Sequence, residues 1–410
     1  MPEHAATCAG CGCGCDDIEV AVAAGALEGA TGTCPLGDAW LAERTAEALP
    51  LARVDGREVA FADAVGAAAA ILGEARLPLV CGLGETDCES QRAAVALAEA
   101  LGAVIDPSDA AAPASQALGV STATFGDIRD RAELVVAWRA DPVVSNPRLL
   151  PRLRLDRAGR AAERTLVVID AQRSATAGEA DEFIELSPEL DFEALWALRA
   201  LVREVPFDRE LAARLPLDAL EQLADKLRST RYGAILHAAA DYPRALALLA
   251  LVRDLARLTH VVALPLRREA GARGAEDVLA WQTGYPAAVS FARGHPRARP
   301  GEFSAAGLLE RGEPDAALIV GFDALRRLPP RAADYLRRIP MVVVDPRATE
   351  TASAARVAFG TAAAGVQREG TAHRMDGVPV TLRAPLASER VGDGEVLAAI
   401  QAHIAGDEGG

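Results

Sequence analysis

Aromatic residues make up only 4% of this 410-residue chain, so its core has to be assembled from Ala, Val, Leu and Ile rather than from large rings. Basic residues run short as well: 43 Lys and Arg stand against 58 Asp and Glu, a formal net charge of −15. That deficit argues against nucleic acid or an anionic membrane as partner, because both select a basic surface. No apolar run is long enough to span a bilayer; Ala64–Leu72 is among the longest. Cysteines and acids fill the N-terminal stretch where an apolar leader would lie, so a cytoplasmic protein is expected. Cysteine itself is scarce, seven in all, yet Cys8, Cys11, Cys13 and Cys15 crowd together and Cys34 follows closely. In a reducing compartment such clustering points to metal rather than to disulfides.

What is present fits a globular chain of two or three domains: half the residues are hydrophobic and a quarter charged. After a cysteine-rich start with a strand around Asp17–Ala23, helix and strand signals alternate. Helices are predicted at Ala62–Leu72 and Ser90–Leu101. Short strands are predicted at Pro78–Gly82, Ala103–Asp106, Leu134–Ala137, Thr165–Asp170, Ala234–His237, Val261–Leu264, Ala316–Val320 and Met341–Asp345. Apolar strands alternating with helices predict an α/β protein with parallel sheets covered on both faces. Arg154–Glu163, rich in arginine and acids, reads as solvated, and the tail after Val391 as one short, frayed helical pattern.

A repeat is legible. The run Glu133–Pro142 leads to a strand ending in Asp170, with Thr176 six residues on; Ala316–Ala324 leads to a strand ending in Asp345, with Thr351 at the same offset. The acid at each strand's carboxyl end is where an open α/β sheet holds a nucleotide. Two ordinary βαβ units would share much of this pattern, but the common Asp-to-Thr offset favours duplication.

Cys8, Cys11, Cys15 and the Cys34-Pro35 pair supply four thiols that a folded loop can aim at one centre. A [4Fe-4S] cube takes four such ligands; zinc also accepts four thiolates, and an unmetallated remnant stays open. Gly10, Gly12 and Gly14 let the backbone wrap tightly, since each can adopt positive φ at little steric cost. Cys13 is expected to be a non-ligand, and Cys81 and Cys88 buried thiols.

A cluster domain followed by duplicated nucleotide-type units resembles the molybdenum/tungsten bis-pterin oxidoreductases, and most closely the B subunit of formylmethanofuran dehydrogenase. The likeness runs nearly the whole length. It is carried by Cys11-Gly-Cys-Gly-Cys-Asp-Asp-Ile-Glu-Val20, Glu89-Ser-Gln-Arg92, Leu97–Asp106, Phe291-Ala-Arg-Gly-His-Pro-Arg297, Pro300–Ala305, Asp345-Pro-Arg347 and Glu369–Pro379. It implies an N-terminal Fe-S domain and two doubly wound, Rossmann-like domains of the molybdopterin oxidoreductase type. The expected boundaries are residues 1–50 for the cluster domain, 51–125 plus 231–385 for one discontinuous domain, 126–230 for an inserted one, and 386–410 for a tail. The relatives hold a Mo/W bis-pyranopterin guanosine dinucleotide between the two larger parts, at positions matching Asp170, Asp345, Arg347 and Thr351.

The resemblance also exposes losses. Its metal-ligating cysteine and the following histidine fall here at Ala112 and Pro113, which neither bind metal nor move a proton. Sliding the alignment does not help, because neither Cys nor His occurs from Glu89 to Leu236. A family glycine and Asn-Pro near the cofactor phosphates have become Arg139 and Asp141-Pro142, so that Asp141 would face phosphate; the second Asp-Pro has become Asp323-Ala324, and the groove is expected to be empty or partly filled by Arg139 and nearby side chains. The resulting expectation is a structural member of a formyltransferase/hydrolase complex in tetrahydromethanopterin/methanofuran-linked C1 metabolism. Such a complex passes a formyl group to a methanofuran-type carrier and releases formate, with A, C and D subunits as partners. The alternative is an active Mo/W dehydrogenase with Asp109 as metal ligand and electron transfer through the cluster. Arg293 and His295, in a stretch that lines the family's cavity, are the remaining functional candidates. His237 is expected to be a core histidine, and His373, beside Arg374 and Asp376, part of a polar turn.

Overall fold

Every residue of Leu134–Trp138, Tyr232–His237, Ala316–Val320 and Met341–Val344 is buried, as strands covered on both faces must be. A computed structural model of the chain describes residues 3–46, 49–107, 111–210, 212–238 and 241–407. Two compact units emerge: Met1–Asp109, Glu269–Arg374 and Pro379–Gly410 form the larger, Ala110–Arg268 and Met375–Val378 the smaller.

The larger unit is built on a nine-stranded sheet. Its five central strands run parallel in the order Val104–Asp106, Pro78–Gly82, Ala316–Val320, Met341–Val344, Val357–Phe359. Short antiparallel strands finish both edges: Val289–Ser290 and Arg297–Ala298 on one side, Ala52–Val54 and Arg57–Glu58 on the other. The chain leaves Pro78–Gly82 toward one edge and Ala316–Val320 toward the other, so the order reverses between these neighbours. The crevice beyond their carboxyl ends is where an open α/β sheet takes a ligand. The unit also carries an antiparallel three-stranded sheet, Glu3–Cys8, Cys15–Ala23 and Ala26–Thr31, and a hairpin strand pair, Gly370–His373 and Pro379–Leu382.

The smaller unit holds a five-stranded, all-parallel sheet of order Glu182–Glu185, Thr165–Asp170, Leu134–Trp138, Tyr232–His237, His260–Pro265. Its reversal lies between Leu134–Trp138 and Tyr232–His237. The expected boundary at residue 231 is therefore corrected. Tyr232–His237 and His260–Pro265 complete the smaller sheet, because the edge of Leu134–Trp138 opposite Thr165–Asp170 needs a parallel neighbour and Tyr232–His237 takes it. The break after residue 125 moves as well, to Ala110, since Ala114 packs in the smaller unit's core with Leu134 and Trp138.

Both cores are aliphatic, as the shortage of aromatics requires, with Phe359 a fully buried ring set edge-on to Phe61 at 5.7 Å. Two expectations are amended here. The helical pattern after Val391 is present, but it is not a loose appendage: Asp393–Asp407 is a helix whose Val396, Leu397 and Ile400 are fully buried in the larger unit's core. Nor is Arg154–Glu163 simply solvated. The Arg160 guanidinium, 8% exposed, donates to the Leu155 and Glu179 carbonyls and pairs with Asp181 at 2.9 Å. Among the described residues no helix is long and apolar enough to cross a membrane.

Candidate functional site

At the larger unit's reversal point the backbone turns sharply. Gly82 takes φ +99°, where an added Cβ would lie 2.4 Å from the Val320 carbonyl oxygen, and Leu83 follows at φ +72°. These turns carry Glu85 back across the carboxyl end of Ala316–Val320, so that its main chain lies against Gly321 (φ +56°). Its carboxylate enters a set of guanidinium groups. Oε2 pairs with Arg44 at 2.5 Å and with Arg347 at 2.8 Å, and Oε1 lies 3.7 Å from Arg327. Arg347 also makes a two-point contact with Asp345 at 2.9 and 3.0 Å, and Arg327 pairs with Glu269. Asp345 is fully buried. Burial pushes its carboxyl upward against the pull of Arg347, while the surrounding carboxylates hold Arg347 firmly protonated despite its own burial.

Next to Glu85, the Thr86 hydroxyl donates to Asp393, which also accepts from Thr361. Burial raises the Asp393 carboxyl to about 7, against those two hydrogen bonds. A carboxyl raised in the fold favours the folded state most below its unfolded value, and the benefit disappears as pH climbs through the raised one. Stability of the wild type is therefore expected to fall between pH 4 and pH 7 from this group. Asp393→Asn, measured by urea midpoints across that window, should flatten the slope; an unchanged slope would refute the assignment.

In the smaller unit the reversal point is occupied by Arg139. It sits at φ +50° directly after Leu134–Trp138, the position Gly321 holds after Ala316–Val320. A side chain there costs roughly 1–2 kcal/mol of backbone strain. The guanidinium offsets that cost by reaching Asp191 at 3.1 Å and Asp170 at 3.3 Å.

The two repeats share one clasp. Asp141 accepts from the amide and hydroxyl of Thr176, whose Oγ1 accepts in turn from the Val143 amide. Asp323 accepts from the amide and hydroxyl of Thr351, whose Oγ1 accepts from the Leu325 amide. The two threonines that share the six-residue offset from Asp170 and Asp345 thus each close a hydrogen-bonded lock, but onto other aspartates, Asp141 and Asp323. Asp141, expected to face a phosphate, is committed to that lock.

The cysteines meet near one another. Cys8 and Cys15 are cross-strand partners, Gly14 turns the intervening loop at φ +47°, and Cys34 precedes the Pro35–Thr45 helix. Gly37 leaves room for the Cys8 sulfur, which an added Cβ would approach to 3.0 Å. Burial pushes the Cys8 thiol up to about 12 against a hydrogen bond from the Gly10 backbone; Cys15, Cys11 and Cys34 push it further up. Cys13 is fully buried. Gly10 and Gly12 do not take positive φ; Gly10 instead lets the helix approach, an added Cβ lying 2.9 Å from Trp40. Among the described residues no group of three or more His, Cys, Asp or Glu side chains stands in metal-holding geometry. Cys81 and Cys88 are buried, their thiols pushed up to about 12.

Ala112 and Pro113 lie buried in the first turn of the Ala111–Leu118 helix; Asp109 lies outside the described residues. Asp106 accepts from the Ala288 and Ala305 amides and so pins both ends of the 288–305 stretch. Within it Arg293 and His295 are exposed, His295 Nδ1 lying 3.1 Å from the Arg293 carbonyl. The cleft in this stretch, about 620 Å³, is lined instead by Tyr285, Arg297, Arg299 and Glu302 among others. His237 is fully buried at a strand end. His373 bonds Asp277 at 2.8 Å with Trp281 edge-on at 5.4 Å, and Asp376 accepts from the Phe125 amide.

No protein-family model matches the chain. It is 33% identical over 345 residues to the B subunit of tungsten-containing formylmethanofuran dehydrogenase 2 from Methanocaldococcus jannaschii, covering 80% of this chain and 79% of that one. This chain belongs to the family of formylmethanofuran dehydrogenase B subunits. A further relative is the B subunit of the formyltransferase/hydrolase complex of Methylorubrum extorquens, 29% identical over 272 residues, 62% of this chain and 70% of that one. The crystal structure of that complex with methylofuran superimposes with a TM-score of 0.71 at 25% identity, covering 88% of this chain and all of the matched one. Acetylene hydratase from Pelobacter acetylenicus, at 13% identity, shares the fold (TM-score 0.66, 98% of this chain and 70% of that one).

For a member of the formylmethanofuran dehydrogenase family the two expected cofactors fare differently. By chemistry the donor set is the usual one for an iron–sulfur cluster, four thiols, with Cys15, Cys11 and Cys34 each acting on the charge of Cys8, although among the described residues the four are not drawn into a metal-holding group. A bis-pterin dinucleotide does not fit the loops. Arg139 fills the position that Gly321 holds in the larger unit, Asp141 and Asp323 are locked to threonines, and Arg347 is already neutralised by Asp345 and Glu85. Sequence reasoning missed Glu85 and Arg44. The Gly84-Glu85-Thr86 turn directly after a predicted strand was a usable signal for the first, but nothing local marks Arg44.

Proposed function

We propose that this chain is a formylmethanofuran dehydrogenase B-type subunit that has lost Mo/W redox chemistry and serves as a structural subunit of a formyltransferase/hydrolase complex. In this reading the A, C and D subunits carry formyl transfer and hydrolysis to formate in tetrahydromethanopterin/methanofuran-linked C1 metabolism, and this chain is the frame alongside them. The observation that carries it is the pair Ala112 and Pro113, at the positions to which the sequence resemblance assigns the family's metal ligand and proton carrier. Both are buried in a helical turn, one with a methyl and the other with a ring that has no lone pair to offer. Asp170, Asp345, Arg347 and Thr351 remain as ancestral positions that now bind protein groups. Arg293 and His295, exposed on their loop, suit contact with formate or with a partner subunit.

A second reading, an active Mo/W dehydrogenase subunit, draws on the 33% identity to a tungsten enzyme's subunit against 29% to the hydrolase-complex subunit. Elemental analysis of the purified complex separates the two. Iron without molybdenum or tungsten is expected, and near-stoichiometric tungsten or molybdenum would overturn the proposal.

We assign Cys8, Cys11, Cys15 and Cys34 to a [4Fe-4S] cluster, with zinc as the competing metal, and attribute the retention of the four thiols to folding. When bound, such a cluster would supply four metal–sulfur bonds tying the N-terminal sheet to the Pro35–Thr45 helix. Cys15→Ala is expected to lower the iron content and the melting temperature together. Unchanged values for both would remove the cluster from the proposal.

A further inference from the structure

We propose that Arg44, Arg327 and Arg347 form an oxyanion seat at the larger sheet's reversal point, and that its resident ligand is this chain's own Glu85 carboxylate. The place is the one where this topology takes an external ligand: beyond the carboxyl ends of Pro78–Gly82 and Ala316–Val320. Three cations converge there on one carboxylate, with two guanidinium nitrogens within 2.8 Å of a single oxygen and the third 3.7 Å from the other. Guanidinium groups in such an array are the usual recognition chemistry for carboxylate and phosphate.

The partners of each arginine show which one depends on Glu85. Arg347 keeps Asp345, and Arg327 keeps Glu269. Arg44 has a side chain only 3% exposed, and its other carboxylate contact is Glu43 at 3.9 Å, itself 61% exposed. Trp40 lies under its guanidinium at 4.7 Å. Without Glu85 a buried positive charge would be left without a close anion, the costly half of a buried ion pair. The turn that delivers Glu85 is itself strained, with Leu83 at φ +72° held by the hydrogen bond its amide donates to the Val320 carbonyl. The fold therefore spends backbone strain to bring a carboxylate to this point. The consequence is that an external phosphate or carboxylate is excluded from the seat as long as Glu85 occupies it.

The test is chemical rescue. Glu85→Ala is expected to lower the melting temperature by about 5 °C or more. Formate and inorganic phosphate, each added against sodium chloride at matched ionic strength, should restore it saturably, while the wild type stays flat. If the two anions differ, the better one names the geometry the seat prefers. Glu85→Gln keeps the volume and removes the charge; it should show the same anion response at smaller amplitude, and it carries the test if the alanine variant does not fold. An anion response in either variant no larger than that of the wild type, or a Glu85→Ala chain as stable as the wild type, would overturn the proposal. Metal content decides the reading of the complex; anion response decides this one, so the two can fail separately.

Discussion

A chain ending at Gly392 is expected to fail to fold. The segment removed contains the Asp393–Asp407 helix, which places Val396, Leu397 and Ile400 at zero exposure among the side chains of the Phe61–Gly73 and Cys88–Ala100 helices. Burying such side chains is worth roughly 1.5–3 kcal/mol each, so the truncation forfeits about 5–9 kcal/mol. That is comparable to the whole stability of a typical domain, about 5–15 kcal/mol. Polar ties go too: the Gly394 amide donates to Ser90, and Asp393 accepts from Thr86 and Thr361. The measurement is soluble yield and far-ultraviolet melting of the truncated chain beside the full one. A melting temperature within about 2 °C of the intact protein would show that the helix is an appendage.

Replacing Asp191 by alanine is expected to destabilise the smaller unit by about 3–5 kcal/mol, the range for breaking a buried ion pair on one side. Asp191 Oδ1 accepts from the Trp138 indole at 2.9 Å and from Arg139 at 3.1 Å. Its loss leaves Arg139, whose side chain is 13% exposed, with Asp170 at 3.3 Å as its remaining carboxylate. Asp191→Asn keeps an acceptor for Trp138 and should fall in between. The decisive variant is Asp191→Ala combined with Arg139→Gly, which removes the stranded cation and puts a glycine at φ +50°. It is expected to be more stable than Asp191→Ala by more than Arg139→Gly gains in the otherwise intact chain, a non-additivity that contact between the two residues predicts. Thermal unfolding followed by tryptophan emission reads these variants and Arg139→Gly alone; strict additivity would mean that Arg139 does not hold the reversal point through Asp191.

Much of the architecture was legible. The apolar strands fall within a residue or two of their predicted positions, because β-branched runs bounded by Gly, Pro and Asp leave little freedom. The repeat was legible from the Asp-to-Thr spacing, though not its meaning: only the fold shows that Thr176 and Thr351 close onto Asp141 and Asp323. The domain boundary was misplaced because strand order is invisible in sequence. Tyr232–His237 could have joined either sheet by its composition, and the edge left open beside Leu134–Trp138 decided the matter. The site was half legible. Asp345 and Arg347 stood out by motif, whereas Glu85 and Arg44, forty-one residues apart, meet only through tertiary structure.

The sequence by itself determined the α/β character, the gathered N-terminal thiols, the duplicated unit and the absence of sulfur or imidazole around Ala112, since each is a matter of local composition or spacing. Only the tertiary structure decided where the sheets divide and how their reversal points are filled. A buried guanidinium must have a carboxylate within reach, and which one serves is set by strand order and turn geometry rather than by closeness along the chain.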